Sequence, residues 1–140
     1  MKRLLLSTAV VSLILCSQAQ AFFEEEGRCQ KRHLNGQWVS YQGEFLKNPH
    51  TGICKFDIDK GKVEGKCDFF FPGNPVTDLQ FVGEATIKDD CSVELTTDFT
   101  PFGRPFVSTY HLQLHRNKKS WVGRWESDSG AGGVTNGVKL

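Results

Sequence analysis

From Gln37 to Leu140 apolar and polar residues alternate in short runs separated by Gly, Pro, Asn and Asp, and no apolar spacing of three and four residues persists. Alternation at period two puts apolar side chains on one face of a pleated strand and polar ones on the other, so the span reads as β structure. The runs predict eight strands: Gln37–Phe45, Gly52–Asp59, Lys62–Phe71, Leu79–Lys88, Cys91–Phe99, Phe106–Arg116, Ser120–Ser127 and Val134–Lys139. Short connections make sequence neighbours spatial neighbours, which describes an all-β, single-domain, antiparallel up-and-down meander.

One hairpin specifies its own register. A two-residue turn at Lys60-Gly61 pairs Asp59 with Lys62, and counting outward brings Cys54 opposite Cys67. That pair is of the non-hydrogen-bonded kind, where side chains approach most closely, so a cross-strand disulfide is feasible. The same count puts Phe56, Ile58, Val63, Gly65, Cys67 and Phe69 on one face. Lys55, Asp57, Asp59, Glu64, Lys66 and Asp68 fall on the other. An outer-membrane barrel needs an outward surface that is apolar along the whole lipid band, so the chain is not expected to be membrane-embedded. Closure protects the edges of a long meander, and an eight-stranded barrel is the expected architecture. A β-sandwich is the alternative, because Pro72-Gly73-Asn74-Pro75 and Pro101-Phe102-Gly103-Arg104-Pro105 are long enough to cross between sheets.

The N-terminus has the layout of an export signal. Lys2 and Arg3 precede an apolar run from Leu4 to Leu15, and Ala19-Gln20-Ala21 forms a small-x-small cleavage site. The run is shorter than the roughly 20 residues that span a bilayer. Residues 1–21 are therefore read as a cleaved signal peptide, 22–35 as an N-terminal segment and 36–140 as the barrel, in the periplasm or outside the cell. Loss of Lys2 and Arg3 takes the formal charge from +1 to −1, so no basic footprint for nucleic acid is expected. Cys29, Cys54, Cys67 and Cys91 remain, and an even number in a small exported domain reads as disulfides. With Cys54 and Cys67 joined, Cys29 pairs with Cys91 and ties the N-terminal segment to the Asp89-Asp90 turn. No Cys-x-x-Cys pair suggests a metal.

Catalytic patterns are not apparent. There is no Gly-x-Ser-x-Gly elbow, and the glycine-rich Ser127–Gly133 run lacks the Lys of a phosphate-binding loop. His111 and His115, four residues apart on one strand, lie about 13 Å apart, too far to share a metal. His33 and His50 fall in expected loops without an adjacent carboxylate pattern. The expectation is a protein that is not an enzyme and carries no metal or cofactor.

Aromatic residues carry the positive signal. Phe69, Phe70, Phe71, Phe81, Phe99, Phe102, Phe106, Tyr110, Trp121 and Trp125 exceed what one face of a compact barrel requires, so either they fill the core or some of them line a ligand cavity or an exposed patch. Trp38, Phe69, Phe81, Tyr110, Trp121 and Trp125 are the candidate ligand contacts. Phe70, out of phase with its neighbours, and Phe102, in a Pro-Phe-Gly turn, are expected on the surface. With Phe22 and Phe23 they are candidate contacts for a protein partner.

The opening Leu34-Asn35-Gly36-Gln37-Trp38 is similar to the first strand of lipocalins and related calycin barrels. That resemblance implies a calycin-like barrel with Trp38 packed at the closed end beneath a basic side chain from a late strand, for which Arg124 is the candidate. The second Gly-x-Trp, Gly123-Arg124-Trp125, departs from the lipocalin pattern. Leu34–Val39, Cys54-Lys55-Phe56-Asp57-Ile58 and Cys67 together resemble the front half of bacterial periplasmic inhibitors of secreted metalloproteases. There the resemblance implies that Phe22–Gly27 is the strip that blocks a protease. The expected function is a non-enzymatic exported binding protein taking a small apolar or amphiphilic ligand in its barrel. An inhibitor or binding partner of an exported protein, such as a secreted protease, is the alternative.

Overall fold

The computed structural model describes residues 27–45 and 47–140. The expected signal segment and the candidate partner contacts Phe22 and Phe23 lie outside the described residues. Eight antiparallel strands close in sequence order: β1 Gly36–Glu44, β2 His50–Asp59, β3 Lys62–Phe71, β4 Asn74–Ile87, β5 Ser92–Asp98, β6 Val107–Leu114, β7 Ser120–Ser127 and β8 Gly132–Lys139. The ladder from Trp38↔Lys139 to Gly43↔Val134 joins the last strand to the first and excludes the sandwich.

Local chemistry accounts for the pairings. Lys60 and Gly61 both take positive φ, 50° and 88°, as a primed two-residue turn requires, and the hairpin runs in register from Asp59↔Lys62 through Cys54↔Cys67. Pro72-Gly73 is likewise a tight turn between Phe71 and Asn74, not a crossover. β4 thus starts five residues before the expected Leu79. Pro75 is tolerated in a strand because β4 meets β5 only from Val82 onward, so its upper part has a neighbour on one side only. The extra length is taken up by a bulge opposite Asp68, whose carboxylate accepts the backbone N–H of Asp78 at 2.8 Å. At Gly65, Gly83, Gly123 and Gly133 an added Cβ would collide with backbone atoms of the facing strand, so the sheet curls most tightly where side chains are missing.

Both expected disulfides are present. Cys54–Cys67 crosses the β2–β3 hairpin, and Cys29–Cys91 fastens the N-terminal segment to the β4–β5 turn. The latter plugs one end of the barrel, where Leu34 is fully buried and its carbonyl accepts the Trp38 Nε1–H at 2.6 Å. Above Leu34 the lower half is solid. Trp38 stacks on Trp121 with ring centroids 4.1 Å apart, Trp121 stacks on Phe56, and Phe56 meets Phe81 edge-on. Truncating one such ring typically costs about 3–5 kcal/mol. A void of about 10 Å³ between Ser40, Phe81 and Tyr110 marks the top of this layer.

Arg124 does not cover Trp38. Alternation along β7 turns Trp121 and Trp125 inward, which turns Arg124 outward, where its guanidinium lies 3.9 Å from Glu126. The cation over Trp38 is Lys139, from the closing strand, with Nζ 5.6 Å from the ring centroid and hydrogen-bonded to the His33 carbonyl. The outer face is also less uniform than the β2–β3 hairpin implies. Tyr41, Phe45, Phe70, Val122 and Val134 are all exposed on the sector from β7 through β8 and β1 to β3.

Candidate functional site

The end opposite the Cys29–Cys91 plug is hollow. A cavity of about 250 Å³ occupies the upper half of the barrel and opens between the β1–β2, β3–β4, β5–β6 and β7–β8 connections. Phe69, Phe71, Phe99, Phe106 and Trp125 are among the residues of its wall. Phe99 and Phe106 stack at 4.3 Å across the base of the β5–β6 loop, and the Phe99 N–H bonds the Phe106 carbonyl at 3.1 Å. Two carboxylates hold that loop's ends: Asp98 accepts the Thr100 N–H at 2.8 Å, and Asp128 accepts the Val107 N–H at 3.2 Å. The Pro101–Pro105 segment is thus a pinned rim of the cavity. Arg104 reaches the mouth from it and forms no ion pair among the described residues.

Of the candidate ligand contacts, Phe69, Tyr110 and Trp125 line this cavity. Trp38, Phe81 and Trp121 do not, because they belong to the filled layer below. All six point inward, but alternation reports only the face; the height of a side chain along the barrel axis follows from strand tilt and stagger. Phe70 and Phe102 are exposed, 46% and 44% respectively, outside the cavity.

Polar side chains reach the cavity from β1, β2, β6 and β7 and from the loops at its mouth, and those of β1, β2 and β6 are the ones that interlock. The Tyr110 hydroxyl donates to Gln42 Oε1 at 2.8 Å, and burial pushes the phenol up to about 12. Ser108, one inward step above Tyr110 on β6, is buried against the same space. His50 is not a loop residue. It opens β2 directly opposite Glu44, at the final pair of the β1–β2 ladder. Its side chain is 7% exposed, and its ring packs on Phe71 at 4.7 Å and edge-on to Phe69 at 5.6 Å.

Glu44, 1% exposed, accepts the backbone N–H groups of Lys47 at 2.6 Å and Asn48 at 2.8 Å, and its Oε2 lies 3.7 Å from His50 Nδ1. The carboxylate is thus a clasp on the β1–β2 loop, and the loop in turn orients the imidazole, since Nδ1 sits 2.7 Å from the Asn48 carbonyl. Sequence reading missed Gln42, Glu44, His50 and Ser108 as site residues. Inward phase with Trp38 was the available signal for Gln42 and Glu44.

The arrangement suits a compact apolar guest. An apolar cavity of about 150 Å³ accepts a benzene-sized molecule, and drug-sized ligands occupy about 300–1,000 Å³. The volume here lies between them and fits one or two fused rings better than a long acyl chain.

No family model matches the chain, and no curated protein is similar to it at a significant level. Solved structures similar to it are designed barrels. A redesigned β-barrel, mFAP1, bound to DFHBI, superposes with a TM-score of 0.56 at 13% identity, covering 79% of this chain and 97% of the other. A de novo designed fluorescence-activating β-barrel gives a TM-score of 0.54 at 12% identity over 79% of this chain and 96% of its own. At such identities the likeness establishes the closed eight-stranded fold and nothing about chemistry.

Proposed function

We propose that the chain is a non-enzymatic exported binding protein that takes a small apolar or amphiphilic ligand, of compact aromatic type, into the upper half of its barrel. The observation that carries this reading is the division of the interior. Below Tyr110 the aromatic side chains fill the barrel; above it a comparable set surrounds about 250 Å³ of open space. A protein needing only stability gains nothing from a hollow upper half, since unfilled apolar volume costs stability. The mFAP1 barrel, bound to DFHBI, is an instance of a similarly folded chain holding a small molecule. The Gly-x-Trp likeness to lipocalins points the same way.

The signal-like first residues and the two disulfides support export to an oxidising compartment. Equilibrium dialysis against fatty acids, retinoids and compact aromatic amphiphiles tests the reading. Saturable uptake of the compact aromatics, exceeding that of the long chains, is expected; no uptake of any class overturns it.

A second reading is favoured by the exposed Phe70 and Phe102, together with the resemblance of the front half to periplasmic metalloprotease inhibitors. In it the chain docks on an exported protein partner. Deleting residues 22–26 tests the inhibitory strip. Loss of protease inhibition with an unchanged melting curve supports it, and absence of inhibition by the intact chain removes it.

A further inference from the structure

We infer that His50 makes the cavity selective for aromatic ligands bearing a hydrogen-bond donor, phenols above all; the inference rests on the cavity being a ligand site. The geometry of the imidazole carries it. Nδ1 lies 2.7 Å from the Asn48 carbonyl and 3.7 Å from the Glu44 carboxylate, and both of those oxygens are acceptors. The neutral ring therefore holds its proton on Nδ1 and presents Nε2 as a lone-pair acceptor. No hydrogen-bond partner meets Nε2 among the described residues, while the ring itself lines the cavity between Phe69, Phe71 and Trp125.

Gln42 supplies the complementary half. On the β1–β2 ladder Gln42 pairs with Gly52 and Glu44 with His50, so Gln42 and His50 are diagonal neighbours on the inner face, typically about 7–8 Å apart. The Tyr110 hydroxyl donates to Gln42 Oε1 and so fixes the orientation of the amide, whose N–H groups are the donors that Gln42 offers a guest. A hydroxyl on an aromatic ring both donates and accepts, and so answers His50 and Gln42 together. An ether oxygen accepts but cannot donate, and a bare hydrocarbon does neither. Either of those guests leaves the His50 acceptor desolvated and unpaired, the situation in which hydrogen-bonding sites discriminate.

The experiment compares β-naphthol, its methyl ether and naphthalene by equilibrium dialysis against the wild-type protein and His50→Phe. A net neutral hydrogen bond predicts wild-type binding of β-naphthol about 3- to 10-fold tighter than that of either other compound. In His50→Phe the three should converge. Equal affinities in the wild-type protein overturn the inference and leave the cavity reading standing; no binding of any compound overturns both. A preference that survives in His50→Phe places the acceptor elsewhere and also overturns it. Should that variant fail to fold, the three-compound comparison on the wild-type protein and on His50→Leu decides.

Discussion

Glu44 and His50 face each other across the last rung of the β1–β2 ladder, the carboxylate buried beneath the loop and 3.7 Å from the imidazole that the loop orients. The clasp connects stability to binding, because Glu44 holds the Lys47 and Asn48 N–H groups while Asn48 in turn fixes His50. Replacing Glu44 by Leu leaves two donors without their acceptor. Hydrogen bonds to a charged group predict a loss of about 1.5–3 kcal/mol in chemical denaturation. A loss below about 0.5 kcal/mol would mean that the loop holds itself.

Gly137 lies opposite Trp121 on the inner face, and a Cβ there would meet the indole directly. The indole is wedged between Trp38 and Phe56. Gly137→Ala is therefore expected to destabilise by about 1–3 kcal/mol, as overpacking does, although alanine is ordinarily harmless in a strand. Thermal melts check it.

The two disulfides are expected to differ in weight. Cys54–Cys67 closes a separation of 13 residues and Cys29–Cys91 one of 62. Chain entropy alone predicts contributions of about 3 and about 4.3 kcal/mol respectively. Denaturant unfolding of the paired Cys→Ala variants measures both. A larger loss for the Cys54/Cys67 pair would show that closing the barrel floor contributes little.

Tyr110 introduces a limit at high pH. Its folded-state phenol is pushed to about 12 by burial, against an ordinary value of 10.0. A raised value keeps the proton on the folded state after the unfolded state has released it. The associated stability is thus complete below pH 10 and lost as pH rises through about 12, by about 2–3 kcal/mol in all. In Tyr41→Phe, which leaves Tyr110 as the sole tyrosine, phenolate absorbance should appear near pH 12. Its appearance at pH 10 in the folded protein would contradict the buried setting.

The β2–β3 hairpin was legible residue by residue because a two-residue turn leaves no choice of register, and with it came the Cys54–Cys67 pairing. The β1–β2 register was not, since the connection from Phe45 to Pro49 does not dictate which residues oppose each other. His50 consequently looked like a loop residue. The same limit divided the aromatics: Trp121 and Trp125 share one face of β7, yet only Trp125 reaches the cavity. Arg124 was misplaced because the lipocalin resemblance took precedence over strand phase, which puts it outside beside Trp125. The start of β4 was hidden by Pro75, whose presence normally argues against a paired strand.

Filling the upper half of the barrel tests whether it is a ligand site. Ser108 is buried against the cavity, and Ser108→Trp would place an indole in the space a ligand needs. The measurement is equilibrium dialysis of β-naphthol against the wild-type protein and Ser108→Trp, with circular dichroism confirming that both are folded. Saturable one-to-one binding by the wild-type protein and none by the folded variant is the expected result; equal binding by both, or none by the wild-type protein, would show that the upper half of the barrel is not the site.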